Sequence, residues 1–287
     1  MATNFFPPPG AAPPTAFVAP APPPGAFAVA LPSPADAALR LERLRAIAAM
    51  HEIRPDWVER LRQLEDFDIV ALCDDSGSMN TVAVGGGGGG GPFAPRTTRW
   101  TELRHTVSIL VDLASALSNT GIDVHFLNRP PLLGARSAAD VQVAFDHQPP
   151  AGFTPLTRAL RHVLAAPRER KLLLIIATDG TPTDDRGAVD IPTFIAALRA
   201  KAPTVFVSIL ACTDDESAIA WLERVDHNVP QVDVCDDYIS ERQEVLRAQG
   251  RGFHFTFGDY VVKALLGPID HFFDGLDGGH QGCCNVA

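Results

Sequence analysis

The chain of 287 residues has no run of about 20 apolar residues, the length a helix needs to cross a bilayer, so its sequence offers no transmembrane segment. No positively charged stretch precedes an apolar segment near Met1, and the five cysteines (Cys73, Cys212, Cys235, Cys283, Cys284) form neither a CxxC pair nor an even framework. A reducing, cytoplasmic compartment is the expectation. Cations are scarce: 24 Lys and Arg face 34 Asp and Glu, a net charge of −10. Sequence-blind nucleic-acid binders gain affinity by neutralising phosphates, so no nucleic-acid partner is expected. The nine His fall in no HxxxH or HxH pair, which argues against zinc, and no internal repeat is present.

What is present divides the chain unevenly. Residues 1–35 are dense in Pro and Ala (PPPGAAPP, APAPPPGAF), too poor in side-chain area to build a core, and read as a disordered arm. Residues 36–65 carry helical apolar spacing (Leu39, Leu41, Leu44, Ile47, then Trp57, Leu61, Leu64) and read as a helical lead-in, with Pro55 opening its second piece. From 66 to 277, short apolar runs alternate with helical stretches of 10 to 20 residues and one shorter one, 137–145. The runs are Phe67 to Cys73, IDVHFL (122–127), KLLLIIAT (171–178), TVFVSILA (204–211) and QVDVC (231–235). The helical stretches are 100–117, 137–145, 154–165, 191–201, 216–225 and a final one over 258–276, bent near Gly267 and Pro268. Val-, Ile- and Leu-rich strands with helices between them predict a doubly wound, mostly parallel α/β sheet covered on both faces, Rossmann-like. Phe253, Phe255 and Phe257 alternate with polar residues as a short edge strand would. The glycine run 85–91 reads as a flexible insertion, and 278–287 as a flexible tail.

Ligands of open α/β sheets bind beyond the carboxyl ends of the strands. Two of those ends are acidic: Asp74-Asp75-Ser76-Gly77-Ser78 after the first strand, and Asp179-Gly180 after the KLLLIIAT strand. Thr154 stands between them in sequence, at the mouth of a helix. Two carboxylates and three hydroxyls are hard oxygen donors of the kind Mg²⁺ takes, where His and Cys would indicate zinc. Asp74, Ser76 and Ser78 alternate by two, so a turning loop can aim all three at one point, and Gly77 permits the turn. The neighbouring Asp75 should then point elsewhere. Asp74 and Asp179 cancel the two positive charges of such an ion while the hydroxyls add none, leaving it electrophilic and open to water or an incoming carboxylate.

Asp74-x-Ser76-x-Ser78, with Thr154 in a GxTPL context and Asp179 in TDGxPTDD, resembles the metal-ion-dependent adhesion site of von Willebrand factor type A domains. The resemblance covers about residues 66 to 230. All five family positions are filled in order, and the joint pattern is far more specific than a lone DxSxS. It implies that Asp74, Ser76, Ser78, Thr154 and Asp179 hold Mg²⁺ or Mn²⁺, and that the ion engages a protein ligand with an accessible Glu or Asp. Phe153 departs from the family, standing where a second Gly often precedes the Thr.

An enzyme is not expected. A haloacid-dehalogenase-type, Mg²⁺-dependent phosphatase would need an acid/base carboxylate two residues after Asp74, where Ser76 stands, and no GxSxG nucleophile elbow is present. The glycine run lacks a GK[ST] ending, which removes a phosphate-binding loop. A scaffold with a silent metal site is the other alternative. Asp184 and Asp185 read as helix-capping or solvated acids. Cys284 stands four from the end with Ala last, as in a farnesylation box, and Cys283 beside it suits palmitoylation. Asn285 fits that box poorly, and no basic patch precedes it, so a membrane tether through Cys284 or Cys283 is a secondary expectation.

Overall fold

The computed structural model describes residues 34–83, 97–117, 121–222, 225 and 229–278. The Pro-rich arm up to residue 33, the glycine run 85–91 and the tail beyond residue 278, with Cys283 and Cys284, lie outside the described residues.

Six strands form one sheet: β1 Phe67–Cys73, β2 Ile122–Phe126, β3 Leu132–Ala135, β4 Lys171–Thr178, β5 Val205–Ala211 and β6 Val232–Cys235. Their order is β3-β2-β1-β4-β5-β6, with β3 antiparallel to β2 and every other pairing parallel. The strands that read as continuous apolar runs are central and buried on both faces. Alternate side chains divide between two cores: Ile69, Ala71 and Cys73 of β1 face one, Val70 and Leu72 the other. The fold is therefore doubly wound α/β, mostly parallel and Rossmann-like.

Helices cover both faces. On the first lie α1 Pro34–Met50, α3 Arg99–Leu117 and α4 Ala138–Asp146, the last opened by a capping box between Ser137 and Asp140. The second face carries α5 Leu156–Ala165 and α6 Ile191–Arg199. Leu156, Leu160 and Val163 of α5 point into the core at helical spacing, while Arg158, Arg161 and His162 between them stay outside. A short helix α2, Val58–Leu61, lies between two short 3₁₀ segments, and Trp57 at its entrance is enclosed edge-on by Phe255, Phe272 and Phe273. The lead-in helices join the same core as the sheet, through Leu44, Ala48, Trp57, Leu61 and Leu64.

After the short helix α7, Glu216–Ile219, the chain forms β6, then α8 Tyr238–Gln249, α9 Phe257–Leu266 and α10 His271–Asp274. The break between α9 and α10 falls at Gly267 and Pro268, as their breaking chemistry predicts. Helix α8 and strand β3 are additions to the sequence reading. The edge strand expected over Phe253, Phe255 and Phe257 does not form. Thr256 caps α9 in a reciprocal box with Asp259, which places Phe257 in the first helical turn and leaves Phe253 and Phe255 in a loop. Among the described residues, no helix is long and apolar enough to cross a membrane.

Candidate functional site

The strand order reverses direction between β1 and β4, so their carboxyl ends flank the crevice where an open α/β sheet binds its ligands. Cys73 pairs in register with Ala177, and the next backbone bond runs from the Asp74 N–H to the Ala177 carbonyl, at 2.8 Å. The two acidic strand ends therefore meet because β1 and β4 are neighbours, although about a hundred residues separate them.

Asp74 is fully buried. Its Oδ1 accepts the Ser76 N–H at 2.8 Å, and its Oδ2 accepts the Thr178 hydroxyl at 2.7 Å. Burial pushes its carboxyl up to about 6; the hydrogen bonds from Ser76 and Thr178 oppose the rise, and the charge of Asp179 adds to it. From Ser76 the chain enters a 3₁₀ turn, Gly77–Asn80, pinned by the fully buried Met79. That turn brings the Ser76 and Ser78 hydroxyl oxygens within 3.0 Å, and the Ser78 hydroxyl donates to Asp179 Oδ1 at 2.7 Å. Ser76 and Asp179 are buried, whereas Ser78 is exposed, so the cluster opens to solvent on the Ser78 side.

Asp75 points away, as the alternation of the loop requires. Its Oδ1 accepts the N–H groups of Leu127 and Asn128, and its Oδ2 receives Arg129 Nε at 2.7 Å. Arg129 is itself buried beneath the faces of Trp100 and Phe126. The loop after β2 is thereby tied to the loop after β1. A third loop joins them: Ala151 N–H donates to the Asp75 carbonyl and Gly77 N–H to the Gly152 carbonyl.

Thr154 lies on this third loop, buried and held by its backbone. Its N–H donates to Thr183 Oγ1 at 3.1 Å, and its carbonyl accepts from the Leu156 and Thr183 amides. Among the described residues, Asp74, Ser76, Ser78 and Asp179 form one hydrogen-bonded chain, while Thr154 borders it without a hydrogen bond to the other four. Phe153 is 55% exposed, with its ring over Gly187, so it stands at the rim. Asp184 closes a local turn on the amides of Arg186 and Ala188, and Asp185 pairs with Arg158. Neither acid caps α6, whose N-cap position is Asp190.

Sequence reasoning missed Arg99. Its NH1 group lies 2.9 Å from Asp179 Oδ2, and its NH2 group donates to Thr213 Oγ1, just beyond β5, at 2.6 Å. One signal was available. Arg99 is the first residue of α3, where the positive end of the helix dipole disfavours a cation, so a basic residue there calls for an acidic partner.

The donor set suits a hard divalent cation. Asp74 is a buried carboxylate with hydroxyl and amide partners but no ion pair among the described residues, and such a carboxylate gains from a counter-charge. Among the described residues, no three His, Cys, Asp or Glu side chains converge as a metal-binding group. Two carboxylates supplemented by hydroxyls are a set of different make-up. Comparison of the chain with protein-family models and with curated proteins finds no match.

Proposed function

We propose that the chain is a divalent-cation-dependent protein-binding module of the von Willebrand type A kind, acting in the cytoplasm and engaging a carboxylate of its partner. The observation that supports this reading most is the meeting of the β1 and β4 ends, where Ser78 links the Ser76 hydroxyl to the Asp179 carboxylate at the reversal of strand order. Asp74, Ser76, Ser78, Thr154 and Asp179 are the residues that would hold Mg²⁺ or Mn²⁺. A bound ion would supply a Lewis-acidic centre with a coordination position for a Glu or Asp oxygen of the partner. The protein's own contribution is positional. Met79 and the Asp75 tether hold the first loop still, burial keeps bulk water from Asp74, and exposed Ser78 marks the side from which a ligand arrives.

The site is read as binding rather than catalytic. Position 76 holds a serine whose hydroxyl is engaged with Ser78, so no acid/base carboxylate stands two residues after Asp74. Lipid attachment at Cys284 or Cys283 would add a membrane tether, and Cys284→Ser should then reduce the membrane-associated fraction of the protein in cell lysates.

Thermal unfolding with and without Mg²⁺ or Mn²⁺ tests the reading, comparing the wild type with Asp74→Ala combined with Asp179→Ala. At about ten times its dissociation constant the ion should stabilise the wild type by about 1.4 kcal/mol. The double variant should not respond. Equal responses from both proteins would remove the proposed site.

A further inference from the structure

Arg99 introduces a fixed positive charge into a site read as a cation site. Its side chain is only 14% exposed. Two anchors hold it: Asp179 after β4 and Thr213 after β5. Thr213 is itself buried and also accepts the Asp215 amide, so the arginine cannot readily swing out. It lines a cavity of about 30 Å³ with Glu102, Cys212, Thr213, Asp237 and Tyr260. The nearest opposite charge it meets is Asp179.

Within the hydrogen-bonded chain at the strand ends, leaving aside Glu102 and Asp237 on the cavity side of Arg99, Asp74 and Asp179 supply two negative charges and Arg99 one positive, so a divalent ion leaves that chain with one surplus positive charge. A single carboxylate restores neutrality. Without Arg99 the ion alone would already neutralise the two aspartates, and the incoming carboxylate would bring an uncompensated charge.

We infer that Arg99 is a positioning residue that couples the two ligands: it weakens the binding of a bare divalent cation and strengthens that of the carboxylate that follows, so that cation and carboxylate bind cooperatively. This rests on the cation reading given above. Arg99 acts through Asp179, whose Oδ2 it holds while Ser78 holds Oδ1. Neither the ion nor the partner has to touch it.

Calorimetric titration of the full chain with Mn²⁺ tests the inference, with and without acetate as the probe carboxylate and with ionic strength held constant by chloride. The wild type, Arg99→Gln, Arg99→Lys and the Asp74→Asn, Asp179→Asn double variant are compared. Arg99→Gln should bind Mn²⁺ alone about tenfold more tightly, the scale on which a neighbouring charge acts. It should lose the gain in Mn²⁺ affinity that acetate gives the wild type, and Arg99→Lys should restore that gain. A purely structural role for Arg99 would change neither quantity in this direction. Should Arg99→Gln not fold, Arg99→Met, which keeps the apolar stem, repeats the measurement. Mn²⁺ affinity in the Arg99 variants equal to or below the wild type, or an unchanged acetate effect, overturns the inference while the cation site stands. Mn²⁺ binding by the double Asn variant as by the wild type, or by none of the proteins, overturns the cation reading and the inference with it.

Discussion

Asp75 shows how one side chain sets the geometry of its neighbours. It receives two backbone amides and the Arg129 guanidinium, and both partners of that ion pair are buried. Removing the acid strands a cation in the interior, which costs about 3–5 kcal/mol, a large share of a domain's stability margin. Asp75→Ala should therefore lower the urea midpoint by an amount corresponding to about 3 kcal/mol or more. Asp74→Asn, which keeps one of its two acceptor oxygens and the local shape, should cost much less. Four of the five candidate residues, which the structure joins by hydrogen bonds, stand out in the sequence because their chemistry and spacing are local: Asp74, Ser76 and Ser78 sit within one loop, and Asp179 follows an unmistakable strand; Thr154 borders them without a hydrogen bond to any. Arg99 does not stand out, because its partner is 80 residues away and only the packing of α3 against the strand ends brings them together.

The elements divide in the same way. Strand β4 spans Lys171–Thr178, as the apolar run KLLLIIAT predicts, because a strand buried on both faces needs no alternation to be seen. Strand β3 (LLGA) escaped because it is four residues long, includes a glycine at positive φ and leaves Leu133 exposed. Helix α8 escaped because it is mostly polar, burying only Val245 and Glu241. The Phe253–Phe257 alternation does not yield a strand because a period of two over five residues is a weaker instruction than a capping box.

Burial of Glu241 has a consequence of its own. Its carboxylate lies 2.9 Å from Lys263 Nζ on α9, which also contacts Asp277, with Asp233 nearby. Burial works against the charge on Lys263, and the neighbouring Cys235, Glu241, Asp233 and Asp277 outweigh it, holding the amine above the usual lysine range. Burial also pushes Glu241 up to about 7, although Lys263 opposes the rise. The folded chain then holds a proton that the unfolded chain releases near its ordinary value of 4.5. The contribution of this group to stability is greatest below that value and falls as pH rises through about 7, by up to about 1.4 kcal/mol per pH unit. Urea unfolding across that window should show the decline in the wild type and a flatter profile in Glu241→Gln.

At the scale of the whole molecule, the lead-in helices belong to the body they precede. Leu44, Ala48, Trp57, Val58, Leu61 and Leu64 are all buried in the core that covers one face of the sheet. Each large apolar side chain lost from such a core costs about 2–5 kcal/mol, so deletion of residues 34–66 should exceed a typical total stability of about 5–15 kcal/mol. The shortened chain is expected to lose its near-ultraviolet circular dichroism and its cooperative melting transition, whereas a chain beginning at residue 34 keeps both.

The sheet's outermost strands, β3 and β6, have four residues each, and the pairing of β3 with β2 shifts register between Ile122 and Val124. Gly134 in β3 donates its amide to the side chain of Asp123 on β2, a departure from regular ladder bonding. Borders this short and irregular are poor templates for strand addition. The long apolar strands at the centre, which would be the most adhesive part of the chain if uncovered, are thus kept from stacking against other molecules by the shape of their margins.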